Sequence, residues 1–264
     1  MQTGTDRMIA RKDGAVGWMF FNNPARHNAV SLEMWRAIPP LMEDFAADPA
    51  VRVIVVAGAG DRAFASGADI SEFEERRATA EAIWEYDAIS EGAYQALQET
   101  TMPSIAMIRG YCIGGGLDIA LRCDVRIAAE DARFGIPAAR LGIGYSFADM
   151  KRLTDVTGPA FAKEIFFTAR QFSVTEARRM GLINRVVTVD TLHGAVLEYA
   201  GLIAGNAPLS VAAAKRCIGE AVKDPERRDV AGCHAAVDAC FGSADYAEGR
   251  TAFMEKRPPA FRGL

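Results

Sequence analysis

Apolar positions along the chain fall into short runs and helical stripes that alternate over its first two thirds. Arg7–Lys12 and Ala15–Asn22 read as two strands joined at Asp13-Gly14, a hairpin turn signal. Ser31 precedes a stripe of Leu32, Trp35, Ile38 and Leu41 at helical spacing, which places it at a helix N-cap. Pro39-Pro40 falls inside that stripe and is expected to kink or shorten the helix. Val51–Ala57 is apolar except for Arg52 and predicts a strand buried on both faces. Glu72–Thr100 is polar, free of proline and predicted helical; Ser104–Arg109 and Val125–Ala129 are further strands. Strands separated by helices predict an α/β fold with a parallel sheet. From Asp149 onward the pattern is almost wholly helical, with breaks at Gly158-Pro159, Gly181, Pro208 and Gly242-Ser243. An α/β core over residues 1–190 and a helical C-terminal region over 191–264 follow from this shift.

Two glycine loops stand out against that background. Ser104–Ile108 runs into Gly110-Tyr111-Cys112-Ile113-Gly114-Gly115-Gly116, and the apolar segment Leu117–Leu121 then reads as a helix. A strand feeding a glycine turn and a helix start leaves several backbone N–H groups unpaired, and missing side chains allow a ligand to approach them. Such a place suits a phosphate or the oxygen of a developing enolate; a tight turn requiring positive φ is the other reading. Phe64-Ala65-Ser66-Gly67-Ala68-Asp69-Ile70 forms the second loop, also after a strand. Val55–Ala63, with Gly58 and Gly60, has the spacing of a dinucleotide-binding turn. That signature needs a helix next, and Phe64-Ala65-Ser66-Gly67 is too glycine-rich and short to be one, so a surface turn is preferred.

Composition removes whole classes of function. The chain has 264 residues, half of them apolar, and a net charge of −4, which provides no basic field for nucleic acid or an anionic membrane. No apolar run approaches membrane-spanning length, and Met1–Arg7 has no apolar signal core. Cys112, Cys123, Cys217, Cys233 and Cys240 show no paired spacing and read as reduced thiols of a cytoplasmic protein. His27, His193 and His234 lie far apart, so no metal site is expected.

The glycine loops, followed by Arg122-Cys123-Asp124-Val125-Arg126-Ile127-Ala128, Ala132–Gly135, Ala177–Val187 and Glu248–Arg257, resemble the crotonase (enoyl-CoA hydratase/isomerase) superfamily from about Met8 to the C-terminus. The resemblance implies a crotonase spiral of ββα units with a helical C-terminal trimerisation region, forming a homotrimer or a dimer of trimers. Val211, Ile218, Val222 and Val237 in the tail would supply apolar contacts for it. The implied substrate is an acyl-CoA thioester, with coenzyme A part of the substrate and no separate cofactor. The amides of Ala68 and Gly115 would form the oxyanion hole, each donor worth about 3–4 kcal/mol of barrier. Ser66, Gly67, Ala68, Asp69 and Ile70 would hold the CoA adenine and pantetheine, Arg26 would lie near its phosphates, and Phe253 and Lys256 would reach the adenine from a neighbouring subunit. Ser71 stands where many hydratases of the family carry a lysine.

The acid–base positions depart from the hydratase pattern. Two glutamates hold a water in those enzymes; here the positions are Asp118 and Ala138. Asp118 is a candidate acid or base, or simply a helix N-terminal carboxylate. Leu141-Gly142-Ile143-Gly144-Tyr145 resembles the methylmalonyl-CoA decarboxylase branch, in which the tyrosine faces the acyl group, although that branch has histidine at the position of Ala68. A core aromatic with its hydroxyl at the surface is the other reading of Tyr145. The expectation is a lyase or isomerase acting through an enolate, decarboxylase-like or an atypical hydratase. A dinucleotide oxidoreductase and a non-catalytic acyl-CoA-binding protein are the competing classes.

Overall fold

Asp13 and Val16 pair across a two-residue turn, with Gly14 at φ +56°, and join β1 (Met8–Asp13) to β2 (Val16–Phe21) as an antiparallel hairpin. The computed structural model describes residues 3–76 and 78–264; Met1-Gln2 of the N-terminal reading and Arg77 of the 72–100 segment lie outside the described residues. Helix α1 (Leu32–Ala46) has Ser31 at its N-cap and runs through Pro39-Pro40 without being shortened. The two prolines leave the carbonyls of Trp35 and Arg36 without helical donors. Burial of Trp35, Ile38, Leu41 and Phe45 in the main core holds the helix together regardless.

Three successive units then repeat one plan. The first is β3 (Val53–Gly58), β4 (Ala63–Ala65), a short α2 (Phe73–Arg76) and α3 (Ala80–Glu99). The second is β5 (Ser104–Ile108), β6 (Tyr111–Ile113) and α4 (Gly115–Arg122); the third is β7 (Val125–Ala129), β8 (Arg133–Gly135) and α5 (Phe147–Thr168). In each unit the first strand joins a six-stranded sheet of order β1-β2-β3-β5-β7-β10, and the second joins a four-stranded sheet of order β4-β6-β8-β9. The added strands are β9 (Phe172–Ser173) and, after α6 (Val174–Arg179), β10 (Arg185–Val187). Apart from β1 and β9 the pairings are parallel. This is the spiral of ββα units implied by the resemblance.

Two details differ from the sequence pattern. The 72–100 segment is not one helix: Thr79 caps α3 by accepting from the Ala82 amide, so α2 and α3 are separate. Gly58 and Gly60 lead into β4 rather than into a helix, which disposes of the dinucleotide turn. In its place the buried Asn28 side chain donates to the carbonyls of Ala59 and Ala63 at 3.0 and 2.7 Å and clamps the β3–β4 turn.

Strand β3 is covered on both faces, as its valines predict. Ile54 and Val56 join the main core with α1, whereas Val53 and Val55 pack in a second cluster with Leu192, Val196 and Ala200 of α7 (Leu192–Ala204). The chain ends in α8 (Pro208–Ala221), α9 (Val230–Phe241) and α10 (Ala244–Glu255). These expose Ile218, Val222, Val237, Phe241, Phe253 and Met254, while Val211 is half-buried. Gly158, with φ +74°, bends α5 at the expected break. Among the described residues no single helix is long and apolar enough to cross a membrane.

Candidate active site

Strands β4 and β6 lie side by side, with Ala63 opposite Tyr111 and Ala65 opposite Cys112, so the two glycine loops leave the sheet together. Their approach is close enough to require the glycines. A methyl group on Gly116 would lie 2.1 Å from the Ala65 carbonyl oxygen, and one on Gly67 would lie 3.3 Å from the Gly115 nitrogen. The Val30 amide donates to Gly67 O at 2.8 Å, and the Asp69 amide to Val30 O at 3.0 Å. This parallel bridge uses the residues on either side of Ala68 and turns the Ala68 N–H to the opposite side of the segment. Gly114 caps α4 with φ +56° and ψ −126°, which leaves the Gly115 N–H in the first turn, where helical amides have no intrahelical acceptor. Ala68 and Gly115 line one cavity of about 610 Å³, with Ser66, Gly67 and Ile70 at its side.

Asp118 lies one turn into α4 in the same cavity and is 4% exposed. Arg122 Nη1 donates to its Oδ1 at 2.6 Å, and Arg122 Nη2 donates to Asp149 Oδ1 at 3.0 Å. Burial pushes the Asp118 carboxyl up to about 6; the Arg122 guanidinium opposes the rise, the Asp149 charge adds to it, and the Tyr94 hydroxyl set against the carboxylate holds it down. The first turn of α4 does favour a carboxylate, but a solvated helix-end aspartate would not be buried and bridged in this way. Tyr145 also lines the cavity, its hydroxyl 3.8 Å from where a Gly114 side chain would begin and its ring edge-on to Phe166. Burial raises this phenol above its ordinary range, so it stays protonated. Ala138, buried, lines the same cavity and brings no carboxylate to it.

The expected CoA residues fall into two groups. Arg26 bonds Asp69 Oδ1 at 3.0 Å and also the Ser71 hydroxyl; Ser66 donates to the Arg26 carbonyl. Asp69 is buried, which works against its charge, but hydrogen bonds from Ser71 and the Arg26 guanidinium hold its carboxyl below the ordinary value. Ser71, in the place of the family's lysine, is thus tied into this cluster. Phe253 and Lys256 lie apart from it at the end of α10, Phe253 exposed in a groove lined by the C-terminal helices.

Sequence reasoning missed three cavity-side groups. Arg122 sits at i+4 from Asp118, a spacing visible in the chain. Tyr94 and Asp149 carried no local signal, since they arrive from α3 and α5. No cluster of three or more metal-ligating side chains occurs among the described residues.

Residues 11–263 match the enoyl-CoA hydratase/isomerase family. The chain is 33% identical over 256 residues to the crotonyl-CoA hydratase of Syntrophomonas wolfei, covering 97% of this chain and 98% of that protein. It is 33% identical over 252 residues to the short-chain-enoyl-CoA hydratase of Clostridium acetobutylicum, covering 96% of each. Among solved structures, an enoyl-CoA hydratase/carnithine racemase from Magnetospirillum magneticum superposes with a TM-score of 0.92 at 35% identity, over 98% of this chain and 97% of that one. With paired glycine loops, a spiral of ββα units and a family match over nearly its whole length, the chain belongs to the enoyl-CoA hydratase/isomerase family of the crotonase superfamily.

Proposed function

We propose that this family member is an acyl-CoA lyase that removes carbon dioxide from a malonyl-type thioester by way of an enolate. The observation that carries the reading is Ala138: it lines the same cavity as Asp118 with a methyl group where a hydratase of this family would hold its second glutamate. Loss of carbon dioxide needs no base to begin. The carbon–carbon bond breaks, its electron pair enters the thioester as an enolate, and the Ala68 and Gly115 amides stabilise the oxygen that gains charge. One proton then has to reach the α-carbon. Tyr145 would orient the departing carboxylate, and Asp118, held near 6, would take part in the proton return. Arg26 and the 66–70 loop would hold the CoA portion, with Phe253 and Lys256 reaching it from a neighbouring subunit of a trimer. Coenzyme A enters as part of the substrate.

Hydration is the second reading. Asp149 favours it, because a second carboxylate does face the cavity and shares Arg122 with Asp118. The curated relatives at 33% identity bear hydratase names. Incubating the protein with a set of acyl-CoA thioesters and reading product masses separates the outcomes. Loss of carbon dioxide from a malonyl-type thioester supports the lyase. Rapid gain of water by crotonyl-CoA overturns it in favour of hydration, and no change with any thioester leaves a binding protein.

A further inference from the structure

We propose that Tyr94 is a catalytic residue of this site: its hydroxyl exchanges the proton with the acyl α-carbon, and Asp118 behind it links that hydroxyl to water. The proposal rests on the acyl-thioester reading but not on the choice between decarboxylation and hydration, since both pass through an enolate that must be protonated at the α-carbon.

Position comes first. The point where a Gly115 side chain would begin lies 3.2 Å from the Tyr94 hydroxyl and 3.7 Å from the Ala68 nitrogen. The hydroxyl and the two amides therefore bound the same small volume. A thioester oxygen held by those amides has its α-carbon only two bonds away. Asp118 is less well placed, because an aspartate is a methylene shorter than glutamate and Arg122 draws this one back to 2.6 Å. Tyr94 and Asp118 line the same cavity and share Arg122, which lies over the Tyr94 ring and bonds the Asp118 carboxylate, so the hydroxyl is placed to make up the lost reach.

Preorganisation comes second. The Tyr94 ring meets Trp35 edge-on at 5.0 Å between centroids, and the Arg122 guanidinium stacks over it with Cζ 3.9 Å from the ring centre. One arginine thus fixes both members of the pair. Burial, with the Asp118 charge adding to it, pushes the phenol well above its ordinary value, so it presents a proton throughout the working range. An α-carbanion is a far stronger base than a phenolate, so delivery from Tyr94 Oη to the α-carbon runs downhill. The phenolate left behind takes a proton from the Asp118 carboxyl, which is refilled from water; one proton is consumed for each enolate quenched. In the reverse sense, Asp118 accepts the phenol proton as the phenol oxygen takes the proton from carbon.

The test uses butyryl-CoA in deuterium oxide, with α-deuterium incorporation followed by mass spectrometry, and acetoacetyl-CoA affinity measured by calorimetry. The native protein is expected to incorporate deuterium. Tyr94→Phe should slow that exchange by about 10²-fold or more while its acetoacetyl-CoA affinity stays within a few-fold. Asp118→Asn should slow exchange as well and abolish its dependence on pH near 6. Failure of the native protein to bind acetoacetyl-CoA would overturn the acyl-thioester reading itself. Binding without exchange in the native protein, or native-rate exchange in folded Tyr94→Phe, would overturn the role of Tyr94. Should Tyr94→Phe not fold, native-rate exchange in Asp118→Asn would overturn the relay.

Discussion

Arg122 Nη1 lies 2.6 Å from Asp118 Oδ1, one helical turn back on α4, with the two side chains 2% and 5% exposed. The same guanidinium reaches Asp149 at 3.0 Å and stacks on Tyr94. A single cation therefore organises a carboxylate from its own helix, a carboxylate from the next helix and the phenol of the previous one. The charged groups of the cavity are thus tied to one arginine.

Replacing Arg122 by methionine should remove that organiser while keeping much of the packing volume. Two carboxylates would lose their cation in a buried setting, which typically costs about 3–5 kcal/mol. Urea unfolding at pH 7 measures the loss. The pH at which activity gains its ionised Asp118 should also move upward from about 6, because the group opposing the rise is gone.

Stability should carry a signature of Asp118 as well. Its carboxyl binds a proton more tightly folded, at about 6, than at its ordinary 3.8. The stabilisation from that tighter binding is fully present below 3.8 and is lost as pH rises through about 6. Comparing native protein with Asp118→Asn by chemical unfolding from pH 4 to pH 8 isolates this group. The native protein should gain on the variant toward low pH, by up to about 3 kcal/mol. A constant difference across that range would show that the carboxyl does not titrate there.

Gly116→Ala tests the contact between the loops. The added methyl would fall 2.1 Å from the Ala65 carbonyl, and neither backbone can yield without moving β4 or α4. Destabilisation of about 3 kcal/mol or more is expected, together with weakened acyl-CoA affinity, measured by thermal unfolding and calorimetry.

The C-terminal helices leave Ile218 67%, Phe241 62% and Met254 79% exposed. Apolar surface of this kind is expected to associate, giving a trimer or a dimer of trimers in sedimentation at micromolar concentration. Ile218→Asp should weaken that association. A monomeric native protein would contradict the expectation.

The long elements and the glycine loops were legible because each leaves a local mark: valine runs for β3, helical spacing for α1, tripled glycine for the entry to α4. Strands β4, β6 and β8 were not, since three residues are too few to show a period of two. The shortening expected at Pro39-Pro40 does not occur, because tertiary burial outweighs the lost helical bonds. At the site, Asp118 and Tyr145 could be named because they stand in or beside recognisable motifs. Tyr94 and Asp149 could not: one sits in a polar helix and the other in a helix cap, and only folding brings them to Asp118.

Gly116 fits against Ala65 so tightly that the spacing of the two cavity amides is a property of the chain's path rather than of any side chain. Substitution of the side chains around the cavity therefore leaves that spacing in place. The cavity is thus divided into a frame set by glycines and a changeable lining of side chains such as Tyr94, Asp118 and Ala138.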